Sequence, residues 1–199
     1  MSQLVLASRS PRRRELIGIL GHPFSAEVSG IEEVSVAGET PAEHVIRLSL
    51  LKARDVAARH TEGIVIGSDT IVVIDGDILE KPFSPEEAVV MIMRLQGRTH
   101  KVFTGFALVD ASTGRETASF ETTCVTIRPM SLELARRYVA TGEPLDKAGA
   151  YGIQGYGAAI VTGINGCYFT VMGLPVARLA EALNDFTDGH FGYFGVQER

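Results

Sequence analysis

The chain has 199 residues, 19 Lys and Arg against 24 Asp and Glu, 45% hydrophobic residues and no tryptophan, the profile of an ordinary globular protein with one domain or one domain in two lobes. A net charge of −5 and a pI near 5.6 argue against a general affinity for DNA or RNA, while leaving room for a local basic pocket. Only Cys124 and Cys167 are present, without a CxxC or Cys/His cluster, so neither a disulfide framework nor a zinc site is expected and both read as buried thiols.

The first apolar run, Leu4 to Ala7, is strand-length, and its flanks have the wrong order for a secretory signal. No apolar stretch reaches the length needed to span a bilayer, so a cytoplasmic protein is expected. Ser10-Pro11 reads as an N-cap followed by proline at the first helical position, opening a helix to Gly21 with Leu16, Ile19 and Leu20 toward the core. This leaves Arg12, Arg13 and Arg14 in the first turn, where the helix dipole disfavours cations unless an anion is bound.

Thr40-Pro41-Ala42-Glu43 and Ser84-Pro85-Glu86-Glu87 are capping boxes and predict helices ending near His60 and Gly97. On the first of these, a helical wheel sets Lys52 among Val45, Leu48 and Val56, in the middle of the apolar stripe. Gly63 to Gly67 and Ile71 to Ile74 are β-branched runs separated by Ser68-Asp69-Thr70, with a turn at Asp75-Gly76. Lys101 to Val109 and Thr117 to Ile127 predict two strands joined at Thr113-Gly114, and Ser131 caps a helix ending at Gly142.

Residues 142–157, GEPLDKAGAYGIQGYG, carry five glycines and almost no apolar period, which predicts an ordered loop that approaches something closely. Ala158 to Ile164 and Cys167 to Met172 predict strands around an Asn165-Gly166 turn, and Leu174 to Phe186 a last helix. After Phe186 no pattern is legible. The alternation predicts an α/β (mixed α+β) fold around one mixed sheet, with the unusual polar residues in loops after strands.

SRSPRRR is the strongest physical signal, since helix N-terminal amides and Arg forks suit phosphate oxygens; the alternative is a solvated basic turn. Asp69, read as lying at a strand end, fits a general base or a metal ligand, or equally a turn former. Glu32-Glu33 reads by itself as a solvated acidic turn, and His100 as a surface or core residue. Lys52 and Lys81 are candidate phosphate ligands, with Lys52 favoured by its apolar face. There is no HExxH, GxxxxGK[ST] or GxSxG, which sets aside zincins, P-loop NTPases and α/β-hydrolases. Together these residues point to a polyphosphate ligand held by Arg, Lys and loop amides, with carboxylates for a divalent cation; hydrolysis and transfer both stay open.

Five segments, LASRSPRRREL (6–16), GSDT (67–70), EKP (80–82), GRTHKVFTG (97–105) and EPLDKAGAYGIQGYG (143–157), resemble the Maf family of nucleoside triphosphate pyrophosphatases in order and spacing across nearly the whole chain. The GAYGIQG form resembles the dTTP/UTP subgroup. The resemblance implies a single two-lobed, inosine-triphosphatase-like domain over residues 1–199, a central twisted sheet flanked by helices and an active-site cleft between the lobes. It also implies cleavage of dTTP, UTP and modified pyrimidine nucleotides between the α- and β-phosphates, a divalent metal (Mg²⁺ or Mn²⁺), and a homodimer.

By motif match, Asp69 is implied as the proton acceptor that activates water, and Arg12, Thr70 and Gln154 as positions of substrate choice. Ser8, Arg13, Lys52 and Lys81 are implied as phosphate ligands, and Glu33 with Asp69 as the residues near the metal. The Gln154 amide offers both a donor and an acceptor, as the O4/N3 edge of uracil or thymine requires, and Tyr151 or Tyr156 is placed to stack on a base or to pack the loop. Glu32 departs from the family's usual Asp, and YFTVMGLPV departs from the usual segment before GLP. A nucleotidyltransferase is the competing enzymatic reading, disfavoured by the absence of a Gly-rich run in the first loop. A septum-related regulator acting by binding is the non-enzymatic one.

Overall fold

In a computed structural model that describes residues 3–195, the first apolar run forms strand β1 (Leu4–Ala7), buried along its whole length. Ser10 caps α1 (Pro11–Gly18) by accepting from the Arg13 amide at 3.4 Å. The helix stops at Gly18 rather than Gly21 because the amides of Ile19, Leu20 and Gly21 turn back tightly onto Leu16, Ile17 and Gly18. Consequently Ile19, expected in the core, is 54% exposed, and Ile17 occupies the interior instead.

Strand β2 (Phe24–Glu27), half-buried throughout and not predicted above, runs parallel to β1. Helix α2 (Pro41–Ala57) begins on a complete capping box, the Thr40 hydroxyl accepting from Glu43 N at 3.3 Å and Glu43 Oε2 from Thr40 N at 2.8 Å. The two β-branched runs join into one strand, β3 (Ile64–Ile74), which passes straight through Ser68-Asp69-Thr70. A turn with left-handed Asp75 and Gly76 leads into β4 (Asp77–Leu79), antiparallel to β3.

Ser84 caps α3 (Pro85–Leu95), but only half of the expected box forms: Glu87 Oε2 accepts from the Phe83 amide at 2.6 Å. Strands β5 (Thr99–Asp110) and β6 (Glu116–Ile127) follow as predicted, and helix α4 (Leu132–Val139) is capped by Ser131 as expected but ends at Val139 rather than Gly142. The glycine-rich stretch is ordered as three short 3-10 turns at Glu143–Asp146, Ala148–Ala150 and Gly155–Ala159.

Strand β7 (Val161–Asn165) pairs antiparallel with β6, so its ladder partner is the preceding strand. The segment expected as its hairpin partner satisfies its own backbone as helix α5 (Tyr168–Met172). Helix α6 (Val176–Phe186) buries Val176, Leu179, Ala180, Leu183 and Phe186 at helical spacing. Both cysteines are free and half-buried rather than buried.

The strand order is β2-β1-β3-β5-β6-β7 with β4 on β3, parallel where β1 meets β2 and β3 and antiparallel at β3–β4 and β6–β7, a mixed sheet as predicted. The chain divides into two compact units. The first comprises the described residues through Asp69, Thr104–Glu121 and those from Gly173; the second comprises Thr70–Phe103 and Thr122–Met172. In the first, Val5, Ala7, Val65, Ala107 and Val109 pack with Ala53, Val56 and Ala57 of α2. In the second, Val72, Val102, Val125 and Ile127 pack with Ala88, Ile92 and Leu95 of α3 and with Ala135 and Tyr138 of α4.

Two glycines seat α2 in the first unit. A Cβ on Gly67 would lie 2.0 Å from Ser49 O and 2.9 Å from Ala53 N, and one on Gly105 would lie 2.5 Å from Val45 O. These neighbours are helix backbone and cannot swing aside, so α2 can lie this close only because both strand positions lack a side chain. Gly67→Ala is therefore expected to destabilise the fold by about 3 kcal/mol, at the upper end of overpacking costs. An unchanged urea midpoint in this variant would contradict the seating.

Candidate active site

The seating of α2 carries Lys52 to β3. Side chains alternate along a strand, so Asp69 shares with Gly67 the face that meets this helix. Lys52 Nζ donates to Asp69 Oδ1 at 2.6 Å and pairs with Glu33 Oε1 at 2.8 Å. Lys52 and Asp69 are 7% and 5% exposed, so the ammonium and this carboxylate compensate each other out of water, while Glu33 approaches from a more open side. Asp69 is thus a buried residue within β3 and not a residue of the strand end, where the sequence reading set it, because one strand runs through both β-branched runs.

Glu33 belongs to an exposed segment that α2 pins on both sides. Ahead of it, Asp55 Oδ2 accepts from Gly30 N at 2.9 Å and from Ser29 Oγ at 3.0 Å. Behind it, Arg47 donates to Val34 O at 3.0 Å and forks onto Glu39 at 2.6 and 2.7 Å. The Arg47 fork, ahead of the opposing effect of burial, holds the Glu39 carboxyl below its ordinary pKa. The expected solvated turn of Glu32-Glu33 is therefore half right: Glu32 is exposed, whereas Glu33 is drawn to Lys52.

At the start of α1, Arg13 Nε donates to Gly173 O at 2.8 Å, and the buried Ser68 hydroxyl lies 3.0 Å from the same carbonyl and 2.8 Å from Gly105 O. Burial lowers the Arg13 pKa, Asp69 and Glu33 oppose that effect, and Arg12 adds to it, so one electrostatic cluster includes all four residues. The guanidinium stays charged. The Ser8 hydroxyl, in a residue only 7% exposed, accepts from Ser10 N at 3.1 Å at the entry to the same helix. The first unit thus brings together Arg12, Arg13, Glu33, Lys52 and Asp69, and Ser8 lies in the same unit at the start of α1.

The other three expected residues lie in the second unit. Thr70 is half-buried in β3, Lys81 is exposed between β4 and α3, and Gln154 is half-buried ahead of the last 3-10 turn. The Lys81 and Gln154 loops are tied through Gly149 N, which donates to Glu80 O at 3.0 Å. Tyr151, considered above as a base-stacking residue, is 5% exposed and bonds through its hydroxyl to His100 Nε2 at 2.7 Å, so it packs the loop; Tyr156 is 67% exposed.

Residue-type reasoning missed Ser68, whose partners Gly105 and Gly173 lie far along the chain, and Tyr138 and Glu143, whose partners lie in the neighbouring glycine-rich loop. Only the closeness of Glu143 to five glycines hinted at it. Among the described residues no group of three His, Cys, Asp or Glu is placed to hold a metal. Glu33 and Asp69 nevertheless present two hard oxygen donors around one cation, the Lys52 ammonium. The arrangement is suited to polyanion binding beside a carboxylate base.

The family described as Maf-like protein matches residues 3–186. The chain belongs to the Maf family. Maf relatives named dTTP/UTP pyrophosphatase include one from Moorella thermoacetica, 52% identical over 94% of this chain and 96% of that protein. Another, from Symbiobacterium thermophilum, is 50% identical over 94% and 95%. A third, from Bacillus cytotoxicus, is 47% identical over 95% and 98%. Among the described residues of this Maf chain no helix is long and apolar enough to cross a membrane.

His100 gives the Maf chain a measurable pH dependence. It is 3% exposed, its Nδ1 has no hydrogen-bond partner among the described residues, and burial lowers its pKa from 6.5 to about 4. Between those values the unfolded chain takes up a proton that the folded chain refuses, so stability is full above the higher value and falls as pH drops toward the lower one. From this site alone, about 2 kcal/mol is expected to be lost between about pH 7.5 and pH 5. His100→Gln should remove that part of the slope in urea unfolding; identical slopes for the two proteins would refute the assignment.

Proposed function

We propose that this protein is a nucleoside triphosphate pyrophosphatase that hydrolyses dTTP and UTP, and modified pyrimidine nucleotides of like shape, to the monophosphate and pyrophosphate. The observation that carries the reading is the Lys52 ammonium held between Asp69 and Glu33 beside the arginine-bearing start of α1. The names of relatives near half identity over nearly their full length support the choice of nucleotide. The family match runs through both units, which supports reading them as one catalytic domain.

In this reading Ser8, Arg13, Lys52 and Lys81 bind the phosphates, the arginine as a fork and the lysines as point charges. Arg12, Thr70 and Gln154 choose the substrate, with the Gln154 amide pairing to the O4/N3 edge of the base. Asp69 accepts the proton of the attacking water, which adds to the α-phosphorus as pyrophosphate leaves. Lys52 orients this carboxylate, and the depth of the pair excludes bulk water.

Glu33 and Asp69 would hold a divalent cation such as Mg²⁺ or Mn²⁺, a hard ion commonly bound by one or two carboxylates together with substrate phosphates. When bound, it neutralises phosphate charge. Two carboxylates at one cationic centre fit that role, with the triphosphate supplying the remaining oxygens. The reading includes a cytoplasmic location, a homodimer and a house-cleaning role that keeps non-standard nucleotides out of nucleic acids, all three carried by the family resemblance.

Asp69→Asn keeps the shape but cannot take a proton, so kcat for dTTP with Mg²⁺ is expected to fall by at least about a hundredfold while nucleotide binding persists in calorimetry. Turnover like that of the parent protein would refute the role of Asp69. In the same assay the parent should release pyrophosphate and dTMP or UMP without an acceptor; turnover only on addition of a sugar phosphate would favour the transferase reading instead.

A further inference from the structure

The residues on either side of Gln154 are held by a side-chain pair that makes no part of the phosphate site. Glu143 Oε1 accepts from the Tyr138 hydroxyl at 2.7 Å and from Gly157 N at 2.9 Å, and Oε2 accepts from Tyr156 N at 2.7 Å. The Tyr138 hydroxyl in turn accepts from Gly152 N at 3.0 Å. Backbone amides before and after Gln154 therefore end on these two side chains. Glu143 itself is fixed from the other direction, its carbonyl accepting from Lys147 Nζ at 2.5 Å.

The glycines of this loop follow from the same geometry. A Cβ on Gly155, a left-handed residue at φ +58°, would lie 2.2 Å from Glu143 Oε2. One on Gly157 would lie 1.9 Å from Gly152 O and 2.9 Å from Tyr138 Oη. The loop is wound so closely around the carboxylate that no side chain fits at either position. Although burial acts to raise the Glu143 pKa, the bonds from Tyr138, Tyr156 and Gly157 outweigh it and hold the pKa below its ordinary value, so the group accepts as a carboxylate. Tyr138 is 5% exposed and its ring belongs to the core of the second unit, which fixes this anchor to the sheet side of α4.

We propose that Tyr138 and Glu143 are positioning residues for base selection, holding the Gln154 loop at the distance and angle at which its amide discriminates among nucleobases. The inference rests on the reading of Gln154 as the residue that meets the base. An amide reads a donor/acceptor edge only within hydrogen-bonding geometry, and a displacement on the order of 1 Å is enough to lose the discrimination. Neither side chain is required for the proton transfer at Asp69, so the effect of removing them belongs in selectivity rather than in the chemical step.

The test measures kcat and KM for dTTP, UTP, CTP and GTP, together with thermal unfolding, in Tyr138→Phe, Glu143→Gln and Gln154→Ala. Tyr138→Phe removes only the hydroxyl and leaves the buried ring; Glu143→Gln leaves the ring untouched and serves if the first variant does not fold. Each is expected to lower the preference for dTTP over CTP in kcat/KM by about tenfold, the loss appearing in KM for dTTP rather than in kcat. If Gln154→Ala relaxes the preference and the other two variants do not, the positioning role fails and the base-reading role stands. If Gln154→Ala leaves the preference intact, base reading at Gln154 fails and the inference with it. A fall in kcat of the same size for all four nucleotides, alongside a lower unfolding temperature, would reduce the pair to a structural brace and overturn the proposal.

Discussion

An ammonium buried on the apolar face of a helix is tolerated only when a carboxylate meets it, because an isolated charge removed from water costs far more than one helix contributes to folding. Lys52 satisfies this condition with Asp69, and much of the first unit is arranged so that it can. β3 supplies Asp69 from its interior, and Gly67 and Gly105 let α2 come close enough for the lysine to reach it. Asp55 and Arg47 then use the exposed flank of the same helix to hold the segment that delivers Glu33. One helix thereby sets the position of two carboxylates and of the cation between them.

The start of α1 answers the same charges from another direction. Three consecutive arginines at a helix N-terminus repel one another and oppose the dipole. Arg13 is nevertheless held inward by the Gly173 carbonyl, within the field of Asp69 and Glu33. That combination leaves cationic groups around a buried carboxylate, a balance that suits the polyanion binding and proton acceptance proposed for the site. The acidic net charge of the whole chain conceals it, because charge acts at the range of a few ångströms inside a fold and is screened beyond about 10 Å outside it.

The second unit solves a different problem. A loop with five glycines has much conformational entropy to lose, and ordering it requires many backbone amides to find partners. Glu143 and Tyr138 collect three of those amides on two side chains, and His100 fixes Tyr151 in the same stretch from β5. Three of the glycines that look like flexibility in the sequence are close approaches with no room for a Cβ: Gly155 against the Glu143 carboxylate, Gly157 against Gly152 O and Gly149 against Val72.

Several local signals were legible where one turn of chain decides the outcome. The caps at Ser10, Thr40 and Ser131, the apolar stripe around Lys52 and the turns at Asp75-Gly76 and Thr113-Gly114 all depend on neighbours within a few residues. The segments that carry the family resemblance were legible in the same way, since a motif is a local pattern. Hidden were β2, the continuity of β3 through Asp69, the helical state of Tyr168–Met172 and the exposure of Ile19, because each depends on which strand or helix lies alongside. The sequence alone determined which residues are available for the chemistry. Only the tertiary structure decided that Lys52 meets Asp69 and Glu33, and that Glu143 binds the loop of Gln154, since hydrogen bonds and burial act through space between residues that the chain keeps apart.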